Sequence, residues 1–101
     1  ENIYKAEAWN LDLNLEKNHN EKFIGIRGHD VEISKNKKEK NSFQMEIIKE
    51  IDQTFNTCLL IRKKEGEGQI TVFLEKEKWN DLKNEKNLYF NLDEEKIMFL
   101  K

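Results

Sequence analysis

Proline is absent from this 101-residue chain, cysteine occurs once and glycine four times. Each scarcity excludes something. A single Cys58 permits no internal disulfide and no thiolate metal cage. With glycine only at 25, 28, 66 and 68, no phosphate-binding loop is present, because no lysine-serine or lysine-threonine pair follows any of them. Long apolar runs are missing too: no window approaches the roughly 18 apolar residues of a membrane-spanning helix, and no signal peptide is visible. The two histidines, His19 and His29, stand ten apart, a spacing that suits no common zinc site. Charge of one sign is also lacking. Charged residues make up 38% of the chain, yet the formal net charge is only -2. All the basic residues except Arg27 and Arg62 are lysine. Such a mixture solvates a surface and makes no basic face for nucleic acid, so no nucleic-acid partner is expected.

What is present is alternation. The chain is long enough for one domain, 1–101, with a single modest core, and its apolar fraction of 37% falls in short periodic runs. Trp9, Leu11, Leu13 and Leu15 alternate with polar residues, the mark of a strand with one buried face. "IYKAEA" before them reads as a further strand or as the first half of the same bent one. A polar turn, "KNHNEK", leads into Phe23-Ile24-Gly25-Ile26-Arg27, which predicts a hairpin between the two runs. His19 in that turn reads as simply exposed. Val31-Glu32-Ile33 alternates again, and a lysine-rich loop follows.

In "SFQMEIIKEI", Phe43, Met45, Ile47 and Ile51 predict a strand whose rhythm breaks at Ile48 and Lys49, the expected place of a bulge, with a helix over 44–51 from the three-residue spacing of Met45, Ile48 and Ile51 as the alternative. "NTCLLIRKK-EGEG-QITVFLE" is a strong hairpin signal, with Gly66 and Gly68 available for positive φ. Trp79 and Leu82, three apart in a charged segment, predict one short helix near residues 76–84. Leu88, Phe90 and Leu92, then Ile97 to Leu100, form two closing strands about the turn "DEEK". The expectation is a mainly β domain: a small barrel or sandwich of about seven short strands with one helix.

The candidate site is "IGIRGHD". Arg27 at a strand end can grip a carboxylate, Gly28 allows a change of direction, and Asp30 can cap backbone or accept from Arg27. A strand–corner–strand element pinned by Arg27 and Asp30 needs no ligand, and His29 is its natural exposed contact. An oxyanion site from Arg27 and His29 is the sharper alternative. Catalysis has little support: Cys58 and His29 are not excluded as a pair by spacing, but nothing orients them. Glu94 and Glu95 fall in a solvated turn. Tyr4, Phe23, Tyr89 and Phe90 would serve an OB-like single-strand binder as stacking platforms, but they alternate in register with the core. No catalytic residue and no metal ligand is assigned.

The stretch "FIGIRGHDVEIS" resembles the signature opening the second half of TOBE (transport-associated OB-like) domains, found at the C-terminus of ATP-binding subunits of ABC importers. The strand, hairpin, short helix and closing strand pair of residues 42–100 follow that family's layout, as does "ENIYKAEAWNLDLNLE" at the start. In detail the chain is similar to the corresponding domain of clostridial molybdate-type ABC ATPases. The resemblance places Gly25, Ile26 and Arg27 on the signature, while Gly28-His29-Asp30 depart from its commoner proline-glutamate pair. A serine-alanine-arginine-asparagine motif of molybdate-binding versions is absent. The implied role is an accessory or regulatory domain with no cofactor of its own, ATP and magnesium belonging to a preceding ATPase domain. The implied partners are a second copy of the subunit, the importer's membrane subunits and an oxyanion. The implied location is the cytoplasmic face of the plasma membrane. Opening on Glu1-Asn2-Ile3 rather than methionine, the chain reads as a segment of a longer protein.

Overall fold

Three curled antiparallel sheets make a half-barrel, described over residues 2–101 in a computed structural model. The first stretch of alternation is two strands, β1 (Asn2–Ala6) and β2 (Leu11–Leu15), paired as a ribbon. A single 3-10 turn, Glu7–Trp9, separates them, closed by Asn10 at φ 55°. Trp9 therefore sits in the turn and not in the strand. Asparagine tolerates the left-handed conformation better than most residues, which permits so tight a reversal.

The second ribbon corrects the predicted hairpin of residues 9–27. β3 (Phe23–Gly25) pairs with β9 (Met98–Leu100), at the far end of the chain. β2 already has β1 beside it, so the polar turn at 16–22 becomes a crossing between ribbons. The main sheet holds β4 (Glu32–Ser34), β5 (Ser42–Asp52), β6 (Asn56–Lys63), β7 (Ile70–Glu75) and β8 (Tyr89–Asn91) in the order β4-β8-β5-β6-β7. Nine strands among the described residues thus replace about seven. The closing strands β8 and β9 join different sheets, with the "DEEK" turn forming a 3-10 turn, Glu94–Lys96.

Within β5 the register slips between Ile47 and Lys49, which is the expected bulge at Ile48. The β6–β7 hairpin forms as predicted, but its left-handed residue is Glu65 (φ 67°) and not a glycine. Gly68 is needed for space: a Cβ there would lie 1.9 Å from the Ala8 carbonyl oxygen and 2.6 Å from Trp9 Cα. The helix α1 runs Lys76–Leu82 and buries Trp79 against β6 and β7. No helix among the described residues is long and apolar enough to cross a membrane.

The core joins all three sheets. Leu11, Leu13 and Leu15 of the first ribbon meet Leu59, Ile61, Val72 and Phe90 of the main sheet, all with at most 2% exposure. Each such side chain contributes about 1.5–3 kcal/mol on burial. Phe90, one of the conceivable stacking platforms, is wholly committed to this core. Beyond Met45, however, β5 leaves the core: residues 47–55 are all exposed, and Ile47 and Ile51 with them.

Candidate functional site

The segment "IGIRGHD" forms the expected strand–corner–strand element. Gly25 ends β3, Arg27 is extended (φ -73°, ψ 140°), and Gly28–Asp30 make a 3-10 turn before β4. The turn closes through the Asp30 N–H donating to the Arg27 carbonyl at 2.9 Å. Gly28 packs onto β7 so closely that a Cβ would fall 2.6 Å from the Phe73 ring and 2.8 Å from the Thr71 carbonyl oxygen. Close approach, rather than backbone freedom, is what requires glycine here.

The side chains of the corner do not pin it as the spacing suggests. Arg27 is exposed and makes no ion pair among the described residues. Asp30 faces Lys96 at 4.0 Å instead, across from the 94–96 turn. His29 lies exposed against Phe73, ring centroids 5.0 Å apart. Cys58 pairs in register with that same Phe73, but no hydrogen bond joins it to His29. A shallow cleft of about 540 Å³ borders the corner, with Lys78 and Lys96 set against Asp30, Glu32 and Glu75. The Lys38 ammonium, hydrogen-bonded to Glu32, holds that carboxyl below its ordinary value, with Lys78 adding to the effect.

A second cluster lies where the sequence reads as blank. His19 stacks on Phe99 of β9 with ring centroids 3.6 Å apart and planes 5° from parallel. Its Nδ1 is 3.3 Å from Glu21 Oε2 and its Nε2 is 3.7 Å from Glu94 Oε2. Glu94 also accepts from the backbone N–H groups of Glu16 at 2.7 Å and Lys17 at 3.2 Å. Those two bonds lower the Glu94 carboxyl below its usual range, the Glu16 N–H most of all, with His19 adding to the effect. Tyr4 packs edge-on to Phe99 and donates its hydroxyl to the Glu21 carbonyl at 2.7 Å. Burial, and then the Glu21 carboxylate, raise the Tyr4 phenol.

This cluster ties the 16–22 crossing to both ribbons. Glu94 and the Tyr4 hydroxyl each bond backbone groups of that crossing, and the His19 ring packs on Phe99. Nothing in the local sequence signals it: Glu94 is 78 residues from Glu16, and a histidine among asparagines has no periodicity. No group of three or more metal-ligating side chains occurs among the described residues. Comparison with protein-family models, curated proteins and solved structures finds no match to this chain.

Proposed function

We propose that this chain is a TOBE-type accessory domain of an ABC importer's ATP-binding subunit, serving uptake of molybdate or a related oxyanion. It performs no catalysis; ATP and magnesium would be held by the ATPase domain. Its work is to hold or regulate a pair of subunits at the cytoplasmic side of the importer. The observation that carries this reading is the exposed β5 arm and turn of the β5–β6 hairpin, residues 47–55. Ile47, Ile48 and Ile51 are 42%, 38% and 41% exposed, and Phe55 is 89% exposed. Large apolar side chains so exposed on so polar a chain are surface suited to cover by protein. A paired arrangement of two such domains would set the separation of the ATPase domains. A ligand would shift it only through unequal affinity for the two arrangements.

Oxyanion sensing at the corner is the weaker reading, because two lysines there face three carboxylates. Two measurements test the proposal. The reading frame upstream of Glu1 should encode a glycine-lysine-serine or glycine-lysine-threonine phosphate loop; an unrelated domain there overturns the assignment. In the full-length subunit, Ile51→Lys with Phe55→Ser should weaken self-association in sedimentation velocity. Unchanged association removes the hairpin from that role.

A further inference from the structure

Each ring nitrogen of His19 has a carboxylate beside it: Nδ1 lies 3.3 Å from Glu21 Oε2 and Nε2 lies 3.7 Å from Glu94 Oε2. Stacking on Phe99, with centroids 3.6 Å apart and planes 5° from parallel, fixes the plane in which those nitrogens lie. A neutral imidazole carries one N–H and one bare lone pair, so it would set that lone pair against one of the two acceptors. The imidazolium donates from both nitrogens. The arrangement is matched to the charged ring.

Glu21 gives an independent sign of the same thing. Its Oε2 is buried and accepts no hydrogen bond among the described residues. A buried carboxylate oxygen needs a compensating charge, and among the described residues the one ion pair of Glu21 is with His19. The Tyr4 hydroxyl does not compete, because it donates to the Glu21 backbone carbonyl. The other charges nearby leave the role to the ring. Lys17 and Lys40 share the cleft on the Glu94 side with Glu16, Asp93 and Glu95. Lys5, Lys22 and Lys101 border the Glu21 side with Glu7. Among the described residues none of these lysines pairs with Glu21 or Glu94. The Glu16 N–H does most to lower the Glu94 carboxyl, and His19 adds to it. That interaction is mutual, so ionised Glu94 in turn favours the charged ring.

We propose that His19 is a proton-operated latch. Its imidazolium clips the 16–22 crossing to the 94–96 turn, where Glu94 also holds the Glu16 and Lys17 N–H groups, and loss of the ring proton loosens the crossing. The sign follows from which form the fold favours. The contribution of the latch is present at pH below the titration of His19 and is lost as pH rises through it. This inference stands apart from the transporter reading and does not depend on it.

Nuclear magnetic resonance titration of the 101-residue chain from about pH 5 to about pH 8.5 tests it, with the exposed His29 as internal control. Fast backbone motion at residues 17–21, read from nitrogen-15 relaxation, should rise as the His19 ring loses its proton. The Glu16 and Lys17 amide signals should move with the His19 midpoint and not with that of His29. Glu94→Gln, its folding checked by amide dispersion, should lower the His19 midpoint and leave the His29 midpoint in place. In urea, the loss of folding equilibrium constant in His19→Gln should be about threefold larger at about pH 5.5 than at about pH 8, the size of a partly exposed ion pair. A crossing equally rigid on both sides of the His19 midpoint overturns the proposal. So does a His19 midpoint indifferent to Glu94→Gln, or an equal loss in His19→Gln at both pH values.

Discussion

The corner at 27–30 and the crossing at 16–22 are held by opposite means. The corner carries conspicuous side chains, yet it is fixed by backbone: a 3-10 turn and a glycine seated on β7. Its arginine and histidine lie at the surface. The crossing has inconspicuous polar residues, yet side chains fasten it, through His19 on Phe99 and Glu94 on two N–H groups. Residue chemistry alone is thus a poor guide to what holds a segment; where the chain places its neighbours decides.

The largest effect that would break this contrast is at Gly28. Gly28→Ala puts a methyl 2.8 Å from a backbone oxygen, which cannot move without disturbing β7. A loss of about 1–3 kcal/mol in urea unfolding is expected, the usual cost of overpacking. Wild-type stability in Gly28→Ala would mean that the corner is loosely seated.

Next is Glu94. Glu94→Ala leaves two N–H groups to water and removes a charge-assisted acceptor, a loss of about 1 kcal/mol. Because its folded carboxyl is depressed, its contribution is present above the ordinary carboxylate range and is lost as pH falls through the lowered folded value. Urea titrations of wild type between neutral and acid pH should therefore show declining stability at the acid end. Glu94→Gln should flatten part of that decline, and an identical pH profile would discard the charged role. His19→Ala, which removes a stacked ring, should cost less, about 0.5–1 kcal/mol. Near-ultraviolet dichroism around Phe99 and Tyr4 should change with it.

Much of the fold was legible because alternation is a local property. The β6–β7 hairpin, the bulge at Ile48 and the helix carrying Trp79 each follow from neighbouring residues. Pairing across the chain was not. β2 and β3 look like a hairpin from their spacing, but β3 finds its partner at Met98–Leu100, and that choice depends on which edges are already occupied. Gly28, Gly66 and Gly68 lie at the expected turns, but none has the positive φ their contexts suggest. At 28 and 68 the structure needs room for a neighbouring backbone, which only the tertiary arrangement reveals. The candidate site divides the same way. Its corner is a contiguous motif, while His19, Glu94 and Phe99 are brought together from both ends of the chain.

The smallest expected effect is the most discriminating. Arg27 is the residue a sequence reader would choose, since its planar fork suits a carboxylate and only two arginines occur in the chain. In the structure the nearby Asp30 is turned to Lys96, and Arg27 extends into solvent. Exposed side chains without such partners change stability by no more than about 0.5 kcal/mol when truncated. Arg27→Ala should therefore unfold with wild type in urea, while Gly28→Ala beside it does not. If Arg27→Ala is stable but weakens self-association of the full-length subunit, the arginine serves a partner. If it costs more than about 1 kcal/mol in the isolated chain, side chains hold the corner after all, and the contrast between the two segments collapses.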